Sequence, residues 1–419
     1  MRNPDIITPA IVLSGHTMAL GVVRALGAMG VPVVNLHYDE RDVAHTSRHI
    51  THSIRVPHPE RSEQEFIGAL GECARQYEGG VLFPVSDESV VAVARHRENL
   101  GRHFRVACPE WDVVRKFIDK KHTYTLAEES GVPAPRTITP SSLEEAEAYG
   151  RQIEYPCLVK PSQSHRFYER FGKKMFSVSA LDELLRVYGQ ASAAGLEVML
   201  QEIIPGEDSQ VVNYNAYFHR GEALAEFTAV HVRNAPPSWG SPRVAASADI
   251  PEVIEPGRRI LRALDFEGYA CTEFKRDSRD GVYKLMEVNG RHNLSTMLAV
   301  RCGINFPWLH YRHLAYGDTP STQGFETGIH WIDITRDVGY SIIHRRQERY
   351  SLKQYLEPYL RRHVFAIFDW GDPAPFFARC AFLGKQASQK AAAHLDGTRR
   401  ERSHAGDGAA SADSQIALT

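Results

Sequence analysis

Glu287 and Asn289 stand two apart in the run Leu285-Met286-Glu287-Val288-Asn289, so on a strand both project from one face. Upstream lies a similar run, Thr272-Glu273-Phe274-Lys275, joined to the first by Arg276-Asp277-Ser278-Arg279-Asp280-Gly281, which reads as the turn of an antiparallel pair. Centred on Asp280, that hairpin sets Glu273 opposite Glu287, with Cβ atoms roughly 4.5–5.5 Å apart. Two carboxylates so close repel each other unless a cation lies between them. Magnesium suits the pair, with manganese as a substitute, because it takes oxygen ligands from one or two carboxylates and completes its shell with phosphate oxygens. Asn289 adds a neutral oxygen, and Arg291 sets a fixed positive charge beside a transferring phosphoryl group. A lone Glu-x-Asn is ordinarily a solvated surface hairpin; the register with Glu273 and the nearby arginine favour a site.

Two lysines stand where phosphates need them. Asp119-Lys120-Lys121 opens a helix that ends at Gly131-Val132-Pro133, and the apolar strand Tyr155-Pro-Cys-Leu-Val-Lys160-Pro161 ends in a lysine. Lysine is rarely buried without an anionic partner, although either residue alone is more often a solvated tip. The stretch Val198-Met-Leu-Gln201-Glu202-Ile203-Ile204-Pro205-Gly206-Glu207-Asp208 is a strand leaving the core into a proline-stiffened hinge. Such a hinge offers backbone groups to a flat base edge and an aspartate to ribose hydroxyls; its bland reading is a capped strand end. Ser86, in Phe83-Pro-Val-Ser-Asp-Glu88, starts a helix whose exposed N–H groups suit an anion, with an ordinary N-cap as the commoner reading.

These residues need a scaffold. Short apolar strands at 10–13, 31–36 and 80–85 alternate with helices, which implies a parallel sheet covered on both faces. Helices fill 111–130, and a β-rich region follows with strands at 157–160, 198–203, 211–218, 222–230, 268–275 and 282–289. The expected division is an N-terminal α/β domain at 1–110, an α+β domain at 111–317, an α/β appendage at 318–384 and a disordered tail at 385–419, where the composition turns to Ala, Ser, Gly, Arg and Asp.

Composition narrows the partners. The 419 residues carry a net charge of -2, so no global field attracts nucleic acid or anionic lipid. Six scattered cysteines without a CxxC suggest neither a zinc ribbon nor a disulfide scaffold and fit a reducing cytosol. The longest N-terminal apolar run, Ile6–Leu13, is too short for a membrane span or signal core. A cytoplasmic protein without a membrane span is therefore expected. Walker A, G-x-G-x-x-G, G-x-S-x-G and H-E-x-x-H sequences are absent. His45, His49 and His52 would share one helix face, but the basic, β-branched segment around them reads as carrying surface histidines.

The ordered set from Asp119-Lys120 through Lys160 and Gln201–Asp208 to Glu273 and Glu287-Val-Asn-Gly-Arg291 resembles the ATP-grasp superfamily of carboxylate–amine ligases over about residues 111–317. The preceding α/β unit looks like the domain that normally comes before it. The motifs around Ser86 and Asp369-Trp-Gly-Asp372 are similar to the D-aspartate-ligase-like type, with carbamoyl-phosphate-synthetase-like enzymes as further kin. The resemblance implies a Rossmann-like domain followed by a two-lobed ATP-grasp domain with antiparallel sheets. It also implies Lys120 and Lys160 on ATP phosphates, Gln201, Glu202 and Ile204 around the adenine, and Asp208 on the ribose. Glu273, Glu287 and Asn289 would ligate magnesium and Arg291 would stabilise the transition state, with Arg233 as a further phosphate contact and Ser86 on the substrate. Residues 162–174 occupy the place of a phosphate-covering loop but hold only Gly172. Small-molecule carboxylate and amine substrates follow, and a homodimer stays open. A phosphotransferase or carbamoyl-phosphate-type enzyme and a non-catalytic nucleotide sensor are the alternatives.

Overall fold

The computed structural model describes residues 8–389 apart from 162–166, 168–169, 174, 238–239, 320, 322–323, 345–347 and 349. Three sheets carry the chain. Strands β1 (Ala10–Leu13), β2 (Val33–His37), β3 (Ile50–Arg55), β4 (Val81–Pro84) and β5 (Arg105–Val106) form a parallel sheet in the order β3-β2-β1-β4-β5. β1 and β4 are buried along their whole length, as expected of apolar strands covered on both faces. Strands β6 (Thr137–Ile138), β7 (Cys157–Pro161), β8 (Phe176–Val178) and β9 (Val198–Glu202) make a four-stranded antiparallel sheet in the order β6-β9-β7-β8. Strands β10 (Val211–His219), β11 (Glu222–Ala235), β12 (Ser241–Ser247), β13 (Gly268–Arg276), β14 (Tyr283–Asn289), β15 (His330–Ile332) and β16 (His363–Phe365) form the largest sheet, ordered β14-β13-β10-β11-β12-β15-β16.

The region 318–384 is not an appendage. It contributes β15 and β16 to the largest sheet, with β15 antiparallel to β12. It also reaches the N-terminal unit. Arg24, on the helix Thr17–Gly27, pairs with Asp372 at 2.9 Å and donates to the Ile367 and Asp372 carbonyls at 2.8 Å each. Nor does order end at 385, because helix continues through residues 374–389; the rest of the expected tail lies outside the described residues. His52 lies on β3 and His45 in a 3-10 turn, so the histidines of that segment share no helix face.

Buried charge ties the late segment to the sheet. Arg233 on β11 is 1% exposed and pairs with both oxygens of Asp337 at 3.0 and 2.8 Å. Arg243 on β12 approaches the same carboxylate at 3.2 Å, and Tyr359 donates to it at 2.7 Å. Asp337→Ala would leave Arg233 buried without its anion, while Arg243 would keep its pair with Glu348. We expect a loss of about 3–5 kcal/mol in urea unfolding, the usual cost of breaking a buried pair from one side. A loss below about 1 kcal/mol would show that Arg233 finds another partner.

A second set of buried polar groups lies where the parallel sheet meets the largest sheet. His292 stacks on Tyr269 with ring centroids 4.2 Å apart, and His310 meets Phe83 edge-on at 5.5 Å. Burial pushes the His310 imidazole down to about 3 and His292 well below its ordinary value. An unfolded histidine takes up its proton near pH 6.5, whereas these remain neutral in the fold. Stability is therefore full above that pH and falls as pH drops from 6.5 toward 3, by about 1.4 kcal/mol per unit per histidine. Urea midpoints should decline from pH 7 to 5, less steeply in His310→Gln; equal slopes would show that His310 is not held neutral.

Candidate active site

β13 and β14 meet in the expected register, with Glu273 directly opposite Glu287 and Cys271 opposite Asn289. Immediately beyond, the register slips and Phe274 faces Leu285, so Met286 is the extra residue of a bulge. Its carbonyl accepts the Tyr124 hydroxyl at 2.9 Å, which anchors the helix Lys120–Glu129 to this strand. Asp119 caps that helix by accepting the Lys121 N–H at 3.0 Å. Lys120 Nζ consequently lies 3.0 Å from Glu287. The Lys120 and Glu287 side chains are 43% and 39% exposed, so the pair opens to the cleft rather than closing into the core.

Lys160 arrives from the other sheet. It donates to Gln201 Oε1 at 2.6 Å, and Gln201 in turn donates to Thr137 Oγ1 at 2.8 Å, so β6, β9 and β7 jointly fix the amine. Lys120, Lys160, Gln201, Glu202, Ile204, Glu273 and Glu287 line one cavity of about 160 Å³ between the four-stranded and the largest sheets. A larger hollow of about 580 Å³ lies behind the helix Lys120–Glu129 and holds none of these residues.

The electrostatics of the cleft are strained in opposite senses. Burial, and then Glu287, push the Glu273 carboxyl up to about 7. Burial and the neighbouring Lys120 bring the Lys160 amine down to about 7. Lys120 is pulled upward, chiefly by Glu287. Glu273 and Lys160 are thus each held toward the uncharged form, while Glu287 and Lys120 pair with one another at 3.0 Å. Asn213 on β10 lies opposite Glu273, and its Oδ1 is buried without a hydrogen-bond partner among the described residues. Two carboxylates and an orphaned amide oxygen in one row, with Asn289 in the next, fit a divalent cation. Among the described residues there is no cluster of three or more His, Cys, Asp or Glu, so a cation held here would complete its shell with other oxygens.

The remaining expected residues divide. Glu202 is buried; its carboxylate accepts the Arg136 N–H at 2.9 Å and pairs with Arg279 at 3.1 Å, while its own N–H bonds the Arg136 carbonyl. Ile204 is buried on the hinge. Asp208 accepts the Asn234 N–H at 2.8 Å. Arg233, expected on phosphates, instead faces Asp337 and stacks near Tyr355, so β11 turns it away from the cleft. Ser86 is also spent. It is 3% exposed, its hydroxyl lies 2.6 Å from the Tyr38 hydroxyl, and it closes a capping box with Ser89, so it has no free donor for a substrate. Residues 162–166, 168–169 and 174 of the expected covering loop lie outside the described residues.

Sequence reasoning missed Lys275, Asn213 and Asn234. Lys275 follows Glu273 by two positions on β13 and lines the cleft, a period-two signal that was readable. Asn213 and Asn234 needed the pairing of β10 with β13 and of β11 with β12. Arg291 follows Gly290, where any Cβ would collide with the Phe117 ring; glycine lets the chain pass close to the helix Trp111–Ile118. The guanidinium then meets the N-terminal unit, pairing with Asp87 at 2.5 and 3.0 Å and donating to Met18 Sδ at 3.3 Å.

A parallel-sheet unit, a four-stranded antiparallel lobe and a larger sheet with the cleft between them make this an ATP-grasp-fold protein. A biotin carboxylase from Campylobacter jejuni, solved as a β-γ-ATP complex, matches with a TM-score of 0.61 at 16% identity, over 76% of this chain and 74% of that one. An L-amino acid ligase from Bacillus licheniformis matches with a TM-score of 0.57 at 15% identity, over 75% of each chain. In sequence, the chain is similar to a D-aspartate ligase of Enterococcus faecium (strain Aus0004), 25% identical over 236 residues, covering 54% of this chain and 56% of the relative. The chain thus spans little more than half the length of that curated relative. No family model matches. No helix among the described residues is long and apolar enough to cross a membrane.

Proposed function

We propose that the protein is an ATP-dependent carboxylate–amine ligase. It transfers the γ-phosphoryl group of ATP to a substrate carboxylate, and an amine then displaces phosphate from the acyl phosphate to give an amide, ADP and phosphate. The observation that carries this reading is the opposition of Glu273 and Glu287 beside Lys120, in one cleft with Lys160 and Gln201. Binding of a metal–nucleotide alone would not require Arg291 beyond the end of the same strand.

Lys120 and Lys160 neutralise phosphate oxygens, and an arriving polyphosphate would restore the ordinary charge of Lys160. Gln201 positions Lys160, and the hinge from Glu202 to Ile204 faces the base, with Asp208 toward the ribose. Glu273, Glu287 and Asn289 hold magnesium or manganese, which when bound offsets the charge of the transferring phosphoryl group. Arg291 stabilises the carboxylate and the charge that develops on it. The reading treats 111–317, extended by β15 and β16, as the catalytic unit and 1–110 as a wall of the substrate site. Sparse, unpaired cysteines support a cytoplasmic setting.

The test incubates the purified protein with Mg-ATP, pools of amino acids and other small carboxylates, and hydroxylamine as a generic amine. ADP with hydroxamate is expected. AMP with hydroxamate would mean adenylation and overturn the mechanism, and a phosphorylated product that persists when an amine is supplied would mark a phosphotransferase.

A further inference from the structure

Arg291 and Asp87 make an unusual pair. The arginine comes from the end of β14, beside the carboxylate row, and its side chain is only 15% exposed. The aspartate comes from the first turn of the helix Asp87–Arg95, on the other side of the interface, and is 58% exposed. Both carboxylate oxygens of Asp87 engage the guanidinium, at 2.5 and 3.0 Å, in the forked geometry that a small carboxylate ligand would adopt. The helix start does not need Asp87 as its cap, since Ser86 and Ser89 already close the capping box. Asp87 is thus not required by its own helix, and its distinctive contact is the one to Arg291. The guanidinium is nearly enclosed, whereas the carboxylate is free to swing into solvent. Of the two partners, the aspartate is the one that can leave.

We propose that Asp87 is a surrogate carboxylate: it occupies Arg291 in the substrate-free protein and is displaced by the carboxylate of the substrate. This rests on the ligase reading above, in which Arg291 meets that carboxylate. Asp87 acts through Arg291 as a positioning residue. It holds the buried guanidinium oriented in the substrate-free protein, and it sets a threshold that a weakly held anion does not cross. The consequence is a reduced apparent affinity for the acid, because the competent state, with Arg291 released, is only a fraction of the population.

Asp87→Asn keeps the size of the side chain and removes its charge. In the hydroxamate assay, KM for the carboxylate substrate should fall about 5–10-fold while KM for ATP stays at its wild-type value. Asp87→Glu, which restores the competing carboxylate, should return KM toward wild type. Accessibility of the arginine gives a readout that needs no turnover. With phenylglyoxal and peptide mass mapping, Arg291 should react about 5–10-fold faster in Asp87→Asn than in the wild type or Asp87→Glu, with thermal unfolding confirming that each variant is folded. Equal labelling rates in all three proteins would overturn the proposal, as would a carboxylate KM that is unchanged or raised in Asp87→Asn. Faster labelling in a protein that makes no hydroxamate with any acid would uphold the displaceable pair and fail the ligase reading instead.

Discussion

Replacing Arg291 by Ala should lower kcat about 10²–10³-fold, the range for removal of one donor aimed at developing charge. The guanidinium lies at the end of the strand that carries Glu287 and Asn289, set by the close packing of Gly290 on Phe117. It is largely enclosed, so water would substitute for it poorly. Loss of the charge should appear in kcat of ADP formation with the acid saturating, since the interaction strengthens as charge builds on the acyl oxygens. Arg291→Lys should recover part of the rate, because a point charge replaces the fork imperfectly. A variant retaining full kcat would remove Arg291 from the chemistry and leave its pairing with Asp87 as a contact between units.

Glu287→Gln should weaken the apparent affinity for magnesium by on the order of 100-fold or more, because even partners behind the ligands commonly contribute 10–100-fold. The substitution keeps the shape of the side chain and removes one of two facing charges. Two readouts separate its effects. The magnesium concentration for half-maximal ADP formation should rise, and Lys120 should lose its 3.0 Å ion pair. Nucleotide binding without metal should change much less, since lysines that bind phosphate gain rather than lose when a nearby carboxylate is neutralised. An unaltered magnesium requirement would place the metal elsewhere.

Much of the site was legible because its elements are local and periodic. The hairpin that carries Glu273 and Glu287 is evident from one tight turn, but the turn-side pairs, Arg276 with Tyr283 and Phe274 with Leu285, would alone set Glu273 opposite Met286; the bulge at Met286 lies between turn and pair and brings Glu287 into place. Asp119 before Lys120 signals a helix start, and the apolar run before Lys160 signals a strand, whatever the rest of the chain does. Arg233 was misplaced for the converse reason. Its strand was evident, but the face it occupies depends on irregular pairing between β11 and β12 and on Asp337, 104 residues later. For Ser86 the commoner reading, an ordinary N-cap, is the one the structure has, and only packing revealed that the Tyr38 hydroxyl also lies 2.6 Å from it.

The sequence by itself determined the kinds of element, their order, and the hairpin that bears the carboxylates. Hydrophobic period, capping residues and turn chemistry act over a few residues and need no distant partner. Only the tertiary structure decided which charges face one another across the cleft and which are consumed in the core. It alone brought Lys160 and Lys120 to one pair of glutamates, drew β15 and β16 into the largest sheet, and set Asp87 against Arg291. Those outcomes rest on burial and on the pairing of charges contributed by segments far apart in the chain, and a charged residue takes its function from whatever opposite charge the fold places within reach.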